Sequence, residues 1–179
     1  DPTVGLAGLA EVGARSQLPI ATNMYVVAFE HLPEAVATGA VDVILSDHHF
    51  WGGLRRTQEL SAICRTFGKG LSMHSNSHLG ISLAAMGHVA AATENLTYAC
   101  DTHWPWKPVD EDVVDAETAL PIVGGAITVP DSPGLGVELD EARLEQLHQL
   151  YLSCGYTDRD DTGYMRTVHP DFDPSIPRW

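Results

Sequence analysis

Two clusters in this chain combine residue types that move protons or hold metals. Asp47-His48-His49 sets a carboxylate beside two imidazoles, and His74-Ser75-Asn76-Ser77-His78 sets two imidazoles, an amide and two hydroxyls within five residues. A carboxylate that holds one imidazole nitrogen fixes the ring's tautomer and leaves the other nitrogen free to take a proton. Asp47 with His74 would therefore make a general base. Asp47 could equally cap the turn that follows it, as strand-end aspartates do. His78, at the start of the following helix, reads as structural, a cap or a supporting group. A zinc site drawn from His48, His49, His74 and His78 is a further option, but adjacent histidines on a strand point to opposite faces and make poor joint ligands. Asn23 offers a hard amide oxygen suited to Mg²⁺, or is an ordinary turn residue. Asp101-Thr102-His103 could contact hydroxyls or a carboxylate. Arg159, in Asp158-Arg159-Asp160-Asp161, is either paired with its acidic neighbours or a carboxylate clamp.

Short apolar runs must position these groups. Pro19-Ile20-Ala21-Thr22 precedes Asn23, Val43-Ile44-Leu45-Ser46 precedes Asp47, Gly70-Leu71-Ser72-Met73 precedes His74, and Leu96-Thr97-Tyr98-Ala99-Cys100 precedes Asp101. From Asn23 to Asp47, Asp47 to His74 and His74 to Asp101 the steps are 24, 27 and 27 residues. Each step fits one strand, one helix and two loops. Repeated βα units with function at the strands' C-terminal tips are how a (β/α)8 barrel builds a site. Helices are expected at residues 6–14, through Phe29, Leu32 and Val36 up to Gly39, and through Leu60, Ile63, Cys64 and Phe67 up to Gly68. Residues 79–92 are apolar on nearly every face, so that helix is expected to be buried on most sides.

Residues 1–104 thus read as about four βα units, the C-terminal half of a barrel. Residues 105–179 read as a post-barrel segment. It carries a short hairpin at 122–129 around Gly124-Gly125, a helix over 141–154 capped by Asp140, and an extended tail through Pro170, Pro174 and Pro177. Four strands alone leave two open edges and one uncovered face. The chain is therefore expected to be the C-terminal part of a longer polypeptide, and to need its N-terminal remainder.

With 179 residues, 44% hydrophobic and 19% charged, the chain is globular. A net charge of −14 argues against nucleic acid and against an anionic membrane as partners. An anionic substrate would need local positive charge from a metal, Lys or Arg. Asp110, Glu111, Asp112, Asp115 and Glu117 are expected in a solvated loop. Cys64, Cys100 and Cys154 have no metal-like spacing and read as buried free thiols of a reducing cytoplasm. No apolar run approaches the roughly 20 residues of a membrane span.

Longer motifs carry a resemblance. Ala21-Thr22-Asn23-Met24, Ser46-Asp47-His48-His49-Phe50-Trp51-Gly52-Gly53, His74 through Ala84, Cys100-Asp101-Thr102-His103-Trp104, Pro133-Gly134-Leu135-Gly136-Val137-Glu138 and Arg159-Asp160-Asp161 together resemble the glucarate dehydratase family of the enolase superfamily. The resemblance implies an α/β fold, the C-terminal half of an enolase-type TIM barrel, with a C-terminal segment returning toward a capping domain. It implies Mg²⁺ at the barrel mouth, abstraction of the proton α to a carboxylate of a hexarate, and elimination of the β-hydroxyl. Asn23 then resembles a metal ligand that also faces the substrate, Asp47 and His74 the base dyad, and Ser75, Asn76, His103 and Arg159 substrate contacts. The family's Lys-x-Lys pair and its metal carboxylates have no counterpart here, so the segment alone is expected to be inactive. A cytoplasmic homo-oligomer is expected. The alternatives are a dehydratase for another acid sugar such as galactarate, a zinc hydrolase barrel, or a sugar-acid-binding remnant.

Overall fold

The rhythm of apolar runs becomes a four-stranded, all-parallel sheet. In a computed structural model, which describes residues 5–155 and 158–175, the strands β1 (Ala21–Thr22), β2 (Val43–Ser46), β3 (Gly70–Ser75) and β4 (Asp101–Thr102) lie side by side in chain order. The helix α1 (Gly5–Gly13) precedes β1. The connections carry α2 (Leu32–Thr38), reached through a 3-10 turn at Phe29–His31, then α3 (Leu54–Thr66) and α4 (Gly80–Ala91). Parallel neighbours require such crossovers, because a tight turn cannot reverse the chain twice. The result is a parallel half-barrel. Gly39 and Gly68, both at φ 64°, turn the chain out of α2 and α3 in the left-handed region that favours glycine.

The core lies around the two central strands. Ile44 and Leu71 are at most 1% exposed, and Leu60 and Cys64 of α3 pack with Leu83, Met86 and Val89 of α4 in the same apolar cluster. The outer strands are only two residues long. The run at residues 96–100, expected as a full strand, instead follows β3 through scattered bonds. The amides of Thr97 and Tyr98 both donate to the Leu71 carbonyl, at 3.1 and 3.3 Å, and Ser72 Oγ donates to the Ala99 carbonyl at 2.7 Å. A strand at an open edge has a ladder partner on one side only, so less holds it regular.

Residues past β4 stay with the half-barrel. The first compact unit runs to Glu141 and the second begins at Ala142, so the unit that holds the βα repeats also takes in the first part of the post-barrel segment. Asp112 explains this packing, and it corrects the solvated-loop expectation. The residue is 7% exposed. Its carboxylate accepts from the Gly80 amide at 2.9 and 3.1 Å, Trp104 Nε1 at 2.8 Å and the Val113 amide at 2.7 Å, and pairs with Lys107 Nζ at 3.0 Å. It thereby satisfies an orphan donor at the start of α4. Burial works to raise its pKa, but these four donors outweigh it and hold the carboxyl at about 2. Gly80 is required at this contact, since a Cβ would stand 2.9 Å from Val114 Cγ2 and 3.0 Å from Asp112 Oδ2. Asp110, Glu111 and Glu117 are exposed, as expected.

The expected hairpin is reduced to one antiparallel bridge, Val123 to Ala126, across the two glycines. In the second unit, α5 (Glu141–Cys154) occupies the expected helical stretch. Another helix, α6 (Asp161–Val168), replaces part of the expected extended tail. Asp160 caps it by accepting from the Gly163 amide at 2.8 Å. Pro177 lies outside the described residues. Cys64 is buried but Cys100 and Cys154 are exposed, against the expectation that all three are buried. No helix among the described residues is long and apolar enough to cross a membrane.

Candidate active site

The C-terminal ends of β2, β3 and β4 place polar side chains along one rim. His74 is the penultimate residue of β3 and only 6% exposed. Its Nδ1 stands 2.8 Å from Asp101 Oδ2. Strand register explains the contact. His74 and Asp101 are direct partners across β3 and β4, and side chains level in a parallel pair project to the same side. With Nδ1–H donating to the carboxylate, Nε2 carries the lone pair. That nitrogen is buried and has no hydrogen-bond partner. The ring of His103 meets His74 edge-on at 5.8 Å and lies 4.8 Å from the ring of Trp106.

The pairing of Asp47 with His74 expected from the sequence is not the one found. The β2–β3 register ends with Ser46 level with Met73, and Asp47 and His74 are the residues that follow them. Asp47 lies beyond β2, however, in a turn, and its Oδ1 accepts from the His49 amide at 2.8 Å and from His49 Nδ1 at 2.6 Å. Side-chain capping of the amide two residues on is the local alternative open to any such Asp. Two carboxylate–imidazole pairs therefore stand on the rim, Asp101 with His74 and Asp47 with His49.

His48 and His49 also sit in that turn and not on a strand, so the opposite-face argument does not apply to them. Their rings lie 4.0 Å apart with a 33° tilt. Ligand atoms of Asp47, His48 and His49 all fall within 4.8 Å of one another. His74 is not part of this group. Burial, then the neighbouring His49, lowers the His48 pKa against the pull of Asp47. Burial, then His49 and His48, lowers that of His78 to about 4. His78 is therefore neutral at pH 7. It supports the fold as expected, with Nε2 2.9 Å from Thr102 Oγ1 and 3.2 Å from Ser75 Oγ.

Ser75 closes that triangle by donating to Thr102 Oγ1 at 3.0 Å, and it is fully buried. The structure thus places it behind the rim, in a supporting position, and not at a surface a substrate could touch. Asn76 is exposed and lines a cleft of about 380 Å³ together with Asp47, His49, His78 and Ser82. Asn23 follows β1, half-buried. Its amide oxygen suits Mg²⁺ but supplies only one of the roughly six oxygens that ion takes. Arg159 belongs to the second compact unit. Its Nε donates to both oxygens of Asp161 at 2.7 and 2.8 Å, which raises its pKa, and its side chain is 86% exposed. Sequence reading missed Ser82 and Thr102 as partners of the rim histidines, since both act from elements other than the histidines' own.

Comparison with known proteins agrees with this architecture. The family described as enolase C-terminal domain-like matches residues 1–143. A probable glucarate dehydratase of Streptomyces coelicolor is 54% identical over 182 residues, covering all of this chain. An enolase from Mycobacterium smegmatis, solved with tartrate, is 63% identical with a TM-score of 0.89, and one from Gibberella zeae, solved with magnesium, formate and sulfate, is 60% identical with a TM-score of 0.90. Each structure covers 98% of this chain. The chain spans 41% of the length of each of these three relatives.

Proposed function

The chain belongs to the enolase C-terminal domain-like family, and on that premise we propose that the polypeptide carrying it is a dehydratase of acid sugars, with a hexarate such as glucarate as substrate. The observation that carries the reading is His74. Its ring is fixed by Asp101, and its Nε2 is buried and unpartnered. A proton α to a carboxylate is weakly acidic, because its removal places a second charge on the acid. His74 Nε2 takes that proton, and the 2.8 Å contact supports Asp101 as the group that orients it. Protonated His74 then donates to the β-hydroxyl, which leaves as water and yields the keto-deoxy acid. Asn76 and His103 stand at the rim for the substrate's hydroxyls. Asn23 would contribute one ligand to Mg²⁺, with the rest supplied by groups outside this sequence. When bound, a divalent ion there stabilises negative charge on the substrate carboxylate. The magnesium and tartrate in the solved relatives support this substrate class.

His74→Asn in the full-length polypeptide tests the assignment. Product formation from glucarate is expected to fall about 1000-fold, with Mg²⁺ affinity unchanged. Loss within about tenfold, or loss of Mg²⁺ binding in the variant, would remove the base role.

A further inference from the structure

A histidine that is to hold a substrate hydroxyl must be kept in one orientation, and the turn after β4 supplies the means. His103 leads into a 3-10 turn, Trp104–Trp106. In that geometry residues three apart eclipse one another, which brings His103 and Trp106 together. The Trp106 amide donates to the His103 carbonyl at 3.0 Å, and the indole lies over the imidazole with centroids 4.8 Å apart and 35° between the planes. The His103 ring also meets His74 edge-on, at 5.8 Å and 88°. Among the described residues no hydrogen bond holds the His103 ring, so these two ring contacts set its direction. We propose that Trp106 is a positioning residue for the dehydration: its indole keeps the His103 imidazole beside His74, with both ring nitrogens free for the substrate. The inference rests on the acid-sugar reading above.

The turn is a rigid mount. Pro105 fixes one φ within it, and the Lys107 amide donates to the Trp104 carbonyl at 3.1 Å. On one side of Trp106, Trp104 packs against the core and its Nε1 donates to the Asp112 carboxylate at 2.8 Å. On the other side, Lys107 Nζ pairs with the same carboxylate at 3.0 Å. The turn is thus pinned before and after Trp106, which is itself 77% exposed. So large an aromatic adds little to the fold from that position, and its ring contact is with His103. An aromatic pair favours its stacked arrangement about two- to tenfold beyond the area it buries. That is enough to select one ring orientation. An indole face also orients the imidazole without occupying a ring nitrogen, whereas the carboxylate that orients His74 takes its Nδ1.

A double-mutant cycle in the full-length polypeptide, read as kcat/KM for glucarate at saturating Mg²⁺, tests the role. Trp106→Ala is expected to lower kcat/KM about fivefold, with the urea midpoint and Mg²⁺ affinity unchanged. Trp106→Phe, which keeps an aromatic face, should recover most of the loss. In the His103→Ala background Trp106→Ala should add nothing, because it acts through that ring alone. Unchanged kcat/KM in Trp106→Ala, or an undiminished further loss in the His103→Ala background, overturns the proposal. A wild-type polypeptide that turns over no glucarate would instead count against the dehydratase reading. The stacking is then decided by proton resonance of histidine-labelled protein, with the His103 signal assigned by its loss in His103→Ala. The indole shifts that signal upfield, and Trp106→Ala should return it toward the position of a free histidine. A His103 signal that Trp106→Ala leaves in place overturns the proposal independently of turnover.

Discussion

Replacing Asp112 by Asn strips the charge from a carboxylate that serves four donors at once. Above pH 4 the carboxylate is ionised in both the folded and the unfolded chain, but only the folded chain gives it Gly80, Trp104, Val113 and Lys107. Its pKa falls from the ordinary 3.8 to about 2 on folding. At about 1.4 kcal/mol per pH unit, that difference stabilises the fold by about 2 kcal/mol near neutrality. Because the folded pKa is the lower one, the contribution is complete above pH 4 and is lost as pH falls through 2. About half has gone by pH 3. The amide also turns an N–H toward other donors, which adds about 1–3 kcal/mol for buried groups left unpaired. Urea denaturation followed by tryptophan fluorescence, on wild type and Asp112→Asn at pH 7, 5 and 3, measures both parts. The expected gap is about 3–5 kcal/mol at pH 7 and 5, narrowing by about 1 kcal/mol at pH 3. A gap that stays constant from pH 5 to pH 3, or one below about 0.5 kcal/mol at pH 7, would refute the buried, charged carboxylate as the anchor of α4.

Comparing Asp101→Asn with Asp47→Asn separates the observed pairing from the one the sequence suggested. Turnover should fall further in the Asp101 variant, and the opposite order would return the orienting role to Asp47. Thiol reactivity separates the cysteines. Burial pushes Cys64 up to about 11, so it should stay silent to a disulfide reagent at pH 8, where exposed Cys154 reacts within minutes. Rapid native-state labelling of Cys64 would contradict its place in the core.

The spacing of the strand tips and the helical repeats between them are properties of neighbouring residues. They were therefore legible as a parallel half-barrel with its polar groups on one rim, and the helix at Glu141–Cys154 was legible for the same reason. Local signals also misled. The prolines of the tail predict extended chain where Asp160 caps α6, and adjacent His48 and His49 would point to opposite faces on a strand but lie in a turn. The choices that matter most for the site were not local. His74 has an acidic residue at the tip of the strand on either side, and nothing in the order of residues says which it holds. Asp101 lies within β4 with its side chain aligned to His74, whereas Asp47 has left β2 and is taken by the His49 amide. Asp112 shows the same limit, since its partner Gly80 lies 32 residues away. Periodicity and turn chemistry set which elements form and where function gathers. Competition among donors and acceptors brought together by strand register decided which acid holds which histidine, and that competition exists only once the chain has folded.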